Sequence, residues 1–151
     1  MMSNSAEVPS VRVVESGNGP YAQFVTAGHH VMGADEPERL GGRDTGPSPY
    51  EYVMAGLGAC TAMTLRMYAN RHGWPLQKLT IGLRHEAVRA ADGAFVDRFF
   101  RTIELEGNLT DEQRRRLLEI AEKCPVSRTL QRASEIVTEL AGSAFAIPAP
   151  N

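Results

Sequence analysis

Two side chains in this 151-residue chain are soft nucleophiles: Cys60 and Cys124, its two cysteines. A cysteine thiolate attacks peroxides, disulfides and metal ions, whereas a buried thiol behaves as a small hydrophobe. Cys60 lies inside YVMAGLGACTAMTL, Tyr52 to Leu65, a stretch without a charged residue. On its own that setting favours core filler. Cys124 is followed by Pro125, and proline suits the first position of a helix. Cys124 then becomes the N-cap, where backbone N–H groups and the helix dipole favour a thiolate, and Arg128 one turn on adds positive charge. Metal chemistry is not indicated: His29 and His30 are adjacent, His72 and His85 stand apart, and neither C-x-x-C nor H-x-x-x-H occurs. G-x-S-x-G, Walker and G-x-G-x-x-G motifs are also absent.

The element that carries Cys60 is a long helix with clear ends. Ser48 is the N-cap, Pro49 the first helical residue, and Glu51 completes an S-x-x-E capping box. Arg66, Asn70, Arg71 and His72 suit its C-terminus, Gly73 its left-handed cap, and Pro75 forbids continuation. The uncharged stretch predicts a buried helix. Val53, Leu57, Cys60, Thr64 and Met67 form one stripe; Met54, Gly58, Thr61, Leu65 and Tyr68 form a second beside it. Interior glycines cost about 1 kcal/mol each against alanine, so Gly56 and Gly58 predict close approach of another backbone.

Around this helix the pattern predicts strands. Val8–Glu15 and Tyr21–Thr26 form a hairpin across Ser16–Pro20, and His29–Gly33 is a third strand before a Gly-rich loop. Gln77–Arg89 and Phe95–Glu106 form a second hairpin, with Leu79, Ile81 and Leu83 on one face of the first strand and Phe99, Arg101, Ile103 and Leu105 on one face of the second. A helix opens with the Thr110/Gln113 capping box and ends at Cys124. A short helix runs from Pro125 to about Ala133, and Ile136–Leu140 reads as a last strand. The fold class is α+β with antiparallel sheet.

A chain of this length fits a single domain over 1–151, with loose tails at 1–7 and 142–151. Formal charge is −2, which argues against a nucleic-acid partner, and Arg114–Arg116 reads as a solvated helix face. The 14-residue apolar run is shorter than the roughly 20 residues a bilayer span needs. The start of the chain lacks the features of a signal peptide, so the expected compartment is the cytoplasm, with no membrane partner.

Together, GPSPYEYVMAGLGACTAMTLRMYANRHGW around Cys60 and LLEIAEKCPVSRTL around Cys124 resemble the OsmC/Ohr family of thiol-dependent hydroperoxide reductases. The GGRDTGPSP approach and the RTIELEGNL strand end extend the likeness over about residues 20–140. The resemblance implies two subunits wrapped around each other, long central helices with sheets outside, and active sites at the homodimer interface. It also implies a peroxidatic Cys60, a resolving Cys124 that closes a disulfide, an organic hydroperoxide substrate and an external thiol or dithiol reductant, with no cofactor or metal. The Ohr branch carries an activating Arg in its N-terminal hairpin and a Glu ten residues before the nucleophile. Here the hairpin reads SGNGP, and that position is Tyr50, with Glu51 next to it. Nine residues along a straight helix is roughly 14 Å, so Glu51 reaches Cys60 of its own chain only across a kink. Arg43, Arg128 and Arg71 are the candidate activating cations.

Two other functions remain compatible with the same residues. One is a non-catalytic dimer that binds an apolar small molecule with both cysteines inert. The other is a thiol redox sensor that forms the disulfide without turnover.

Overall fold

The computed structural model describes residues 10–141; the expected loose tails, and Val8 and Pro9 at the start of the first strand, lie outside them. Three short strands, β1 (Val11–Glu15), β2 (Gln23–Ala27) and β3 (His30–Ala34), form an antiparallel sheet in the order β1-β2-β3. Val13 pairs with Val25, and Val25 with Met32. The β2–β3 turn contains Gly28 at φ 58°, a left-handed conformation that suits glycine.

The following loop contains a 3-10 turn at Glu38–Leu40 and folds on the buried carboxylate of Asp35. Asp35 accepts from the Glu36, Arg43 and Thr45 amides at 2.8, 3.1 and 3.2 Å and from the Thr45 hydroxyl at 2.8 Å. Burial opposes ionisation of Asp35, but these bonds outweigh it and hold the carboxyl below its ordinary range.

Helix α1 spans Pro49–Arg71. Its capping box forms as expected, with the Ser48 amide donating to Glu51 Oε2 at 2.7 Å. Gly73 adopts φ 65°, and the Trp74 amide donates back to the Ala69 carbonyl at 2.9 Å. Tyr52 in the first turn donates its hydroxyl to the Gly33 carbonyl, tying the three-stranded sheet to the helix.

The second sheet is the hairpin β4 (Lys78–Arg89) and β5 (Phe95–Glu106), in a register that pairs Lys78 with Glu106 and Arg89 with Phe95. Its inner face alternates as the sequence requires. Leu79 and Ile81 of β4 and Ile103 and Leu105 of β5 pack onto a core of Leu65, Ala69, Leu76, Leu109, Leu117, Ile120 and Ala121. Helix α2 (Asp111–Ala121) closes that core, and its Thr110/Gln113 capping box is present. Helix α3 (Pro125–Leu130) follows.

Four expectations need correction. The core takes the Gly58–Thr61–Leu65 stripe together with Leu57 and Ala69, while Val53, Met63 and Met67 are exposed, so α1 is buried on one face within this chain and not all round. A Cβ on Gly58 would meet the Leu83 side chain at 2.6 Å, and one on Gly56 would meet nothing within 4 Å, so within the chain a strand side chain, not another backbone, uses the space. Helix α2 stops at Ala121 instead of running to Cys124, and α3 ends at Leu130, short of Ala133. Residues 136–140 are not a strand. A strand needs a neighbouring ladder, neither sheet includes this segment, and Ile136 is 88% exposed.

Candidate functional site

Tertiary packing brings together the two cysteines that lie far apart in the chain. Cys60 sits at the middle of α1, half-buried, and Cys124 is fully buried as the N-cap of α3; both are free. The local reason is the Cys-Pro junction. Pro125 cannot continue the preceding turn with a hydrogen bond, so the chain restarts as α3, and Cys124 Sγ accepts from the Ser127 amide at 3.5 Å. The Cys60 and Cys124 thiols lie near enough to perturb each other's ionisation, and the Val126 amide acts on both.

The two sulfurs are electrostatically unequal. Burial pushes the Cys60 thiol up, and the neighbouring Cys124 adds to it; the Val126 amide and Thr64 only partly oppose this. Burial also disfavours a thiolate at Cys124. There, however, the neighbouring Cys60 thiol and the Ser127 and Val126 amides outweigh burial and draw Cys124 below the ordinary thiol value.

One further side chain completes the site. Arg101 of β5, with a side chain only 11% exposed, donates Nη1 to Thr61 Oγ1 at 2.9 Å and Nη2 to Glu122 Oε1 at 2.7 Å. Thr61 is fully buried and donates its own hydroxyl to the Leu57 carbonyl at 2.7 Å. A cleft of about 480 Å³ lies beside this cluster, lined by Leu57, Phe99, Arg101, Glu122, Ser127 and Leu130. Val96 adds to its apolar wall and Asp97, Arg98 and Gln131 to its polar one, so apolar and charged groups share the cleft.

The other sequence-derived candidates lie elsewhere. The Glu51 carboxylate is engaged at the start of α1, where the Ser48 amide, then the Ser48 side chain, hold it below its ordinary value. Tyr50 stacks on His85 at 4.3 Å, and His85 Nε2 lies 2.8 Å from Asp97 Oδ1. Arg43 lies across the β1–β2 turn, donating Nη1 to the Asn18 carbonyl at 3.0 Å and packing against Gly19. Arg71 and Arg128 are exposed. Sequence reasoning therefore missed Arg101 as a site residue. The signal was available, because Arg101 alternates with Phe99 and Ile103 on the apolar face of its strand, and a cation in that register needs a buried partner.

The profile of the OsmC-like protein family matches residues 42–139, which include both cysteines, Thr61 and Arg101. The chain belongs to the OsmC-like family. Solved structures agree on the fold. An OsmC-like protein from Mycoplasma pneumoniae superposes with a TM-score of 0.69 at 18% identity, covering 83% of this chain and 89% of that one. An organic hydroperoxide resistance protein OsmC from Legionella pneumophila gives 0.65 at 19% identity, covering 84% and 91%. The organic hydroperoxide resistance protein OhrB of Bacillus subtilis gives 0.58 at 22% identity, covering 81% and 89%. No curated protein sequence matches. This OsmC-like protein thus has the α+β family fold with antiparallel sheets. Among its described residues no helix is long and apolar enough to cross a membrane, and no group of three or more His, Cys, Asp or Glu side chains is placed to hold a metal ion.

Proposed function

We propose that this OsmC-like protein is a thiol-dependent peroxidase that reduces organic hydroperoxides. The observation that carries the reading is the neighbouring pair of free cysteines, one half-buried on a helix and one at a helix N-cap, beside a cleft. Cys60 attacks the peroxide, its sulfur taking one oxygen as the O–O bond breaks, which gives Cys60 sulfenic acid and an alcohol. Cys124 then attacks the sulfenic sulfur, water leaves, and a disulfide forms. An external dithiol reduces it by exchange. Glu51, Arg43 and Arg128 enter this scheme only as supporting residues: in their own chain no side chain of the three hydrogen-bonds a cysteine sulfur, and Arg128 meets Cys124 through its amide, which donates to the Cys124 carbonyl at 3.1 Å.

The working unit in this proposal is a homodimer, and the compartment is the cytoplasm, where cysteine pairs are held reduced. Apolar surface supports the dimer: Val11, Val13 and Met32 share one face of the three-stranded sheet and are exposed, as are Met63 and Met67 of α1, and exposed apolar surface of this kind marks interaction sites. Stopped-flow oxidation by cumene hydroperoxide is the test. Rapid oxidation lost in Cys60→Ser supports the peroxidase, and equal, slow oxidation of both proteins rejects it. A redox sensor would instead form the disulfide without turnover in the presence of dithiol.

A further inference from the structure

A disulfide closes only when the two Cα atoms come within about 4.4–6.8 Å of each other, so cysteines on separate elements must be held in register. The apolar core does not supply that hold here. It takes α1 from Leu65 onward and α2 as far as Ala121, and no residue of α3 belongs to it. Cys60 lies before the first of these stretches and Cys124 beyond the second. Yet α1 and α3 meet, because Leu57 and Ser127, each one turn from a cysteine, line the same cleft. A polar bridge spans the gap. Arg101 of β5 donates Nη1 to Thr61 Oγ1 at 2.9 Å, and Thr61 follows Cys60 in the chain. Its Nη2 donates to Glu122 Oε1 at 2.7 Å, and Glu122 opens the turn that leads from α2 to Cys124. Gln131, at the end of α3, donates Nε2 to the other oxygen of Glu122 at 3.4 Å. A guanidinium presents its donors in a rigid planar fork. One side chain thus fixes the segment after Cys60 against the segment before Cys124.

We propose that Arg101 is a positioning residue whose guanidinium, clamped between Thr61 and Glu122, holds Cys124 against Cys60 and so sets the rate of disulfide closure. This deepens the peroxidase reading and rests on it for the sulfenic acid, while closure itself can be driven by another oxidant. The leverage is geometric: misplacing a reacting atom by about 1 Å can cost roughly 100-fold in rate. In the peroxidase cycle the Cys124 thiolate bonds to the Cys60 sulfur and the sulfenic oxygen leaves as hydroxide, which solvent protonates. Until that happens, a second hydroperoxide can oxidise the Cys60 sulfenic acid to sulfinic acid, itself becoming an alcohol, and the enzyme is lost. By keeping closure fast, the clamp protects Cys60 from this second oxidation.

The test drives closure with an aromatic disulfide, dithiobis-nitrobenzoate, in place of peroxide. The Cys60 thiolate attacks one reagent sulfur and a first thionitrobenzoate leaves. The Cys124 thiolate then attacks the Cys60 sulfur of the mixed disulfide and a second leaves, so two protein thiols are oxidised as one reagent disulfide is reduced. In wild type the second release should be unimolecular, with a rate independent of reagent concentration. Arg101→Met should slow it by about 10-fold, and Arg101→Lys, which engages one partner at a time, should restore part of the rate. Glu122→Ala removes a side chain that is 63% exposed and should slow closure to a similar extent. The double variant should be no slower than the slower single variant, because both substitutions break one bridge. Circular dichroism and melting confirm that each protein is folded, and general loosening would make the two effects add. Three results overturn the clamp: a wild-type second release that rises with reagent concentration, an unchanged second release in either folded single variant, or additive slowing in the double variant. With cumene hydroperoxide and dithiol, Arg101→Met should inactivate in fewer turnovers than wild type, with Cys60 sulfinic acid found by mass. Equal inactivation overturns the protective role. Slowed closure in proteins that never turn over peroxide rejects the peroxidase reading and the protective role with it, while the clamp stands.

Discussion

Replacing Cys124 by Ser and by Ala separates its work as a helix cap from its work as a thiol. Both variants remove the sulfur. Only serine keeps a side-chain acceptor for the Ser127 amide, which Cys124 Sγ serves at 3.5 Å in the native protein. Loss of an N-cap acceptor costs about 1 kcal/mol. The site has no exposed surface, so alanine also leaves a void of roughly methyl size, worth about 1 kcal/mol more. Serine avoids the first loss and part of the second, and its hydroxyl finds polar neighbours in the Ser127 amide and Cys60. The expected order of stability is wild type, then Ser, then Ala, with Ala below Ser by about 1 kcal/mol. In a domain of this size that separates the two melting points by about 2–4 °C. Melting is followed under dithiothreitol and at one protein concentration, because a dimer's melting point depends on concentration. Redox behaviour should not follow this order. Both variants should accumulate a dimedone-trappable sulfenic acid on Cys60 after one equivalent of peroxide, and neither should form the intramolecular disulfide. Equal melting of Ser and Ala would refute the capping argument. Decay of the sulfenic acid in either variant as fast as in wild type would refute Cys124 as the resolving group.

Native-state thiol labelling should modify half-buried Cys60 first and Cys124 only on unfolding, and equal rates would mean that the burial difference is not maintained in solution. Glu51 has a folded-state carboxyl held below its ordinary value of 4.5. Its contribution is therefore present above that value and is lost as pH falls below it through the folded pKa. Urea titrations between pH 5 and pH 2 should show a smaller acid loss in Glu51→Gln than in wild type. Peroxide reactivity in that variant should persist if the residue only caps its helix. Gly42→Ala should destabilise by about 1–3 kcal/mol, read as a lower urea midpoint, because the new Cβ would sit 1.8 Å from the backbone oxygen of Glu36 in the loop around Asp35. An unchanged midpoint would show that this loop relaxes freely.

What the sequence determined by itself is mostly what backbone chemistry decides locally. Ser48, Pro49 and Glu51 start α1, and Gly73 and Pro75 end it, because caps depend on residues within one turn. The alternation of Leu79, Ile81 and Leu83 and the turn at Ala91, Asp92 and Gly93 between β4 and β5 set the second hairpin, and Pro125 forces the restart that makes Cys124 an N-cap. The two cysteines were visible as candidates for the same reason. Their proximity was not, nor was Arg101, which reaches Thr61 across 40 positions of sequence. Periodicity placed two stripes on α1 but could not choose between them, since that depends on which face β4, β5 and α2 cover. It also suggested a strand at 136–140, where residues of the right type lie outside both sheets. Tertiary structure decided these points because they rest on which surfaces meet. The electrostatic inequality of Cys60 and Cys124 follows from that meeting: burial holds the Cys60 thiol up, while its neighbour and the amides at the start of α3 draw Cys124 down.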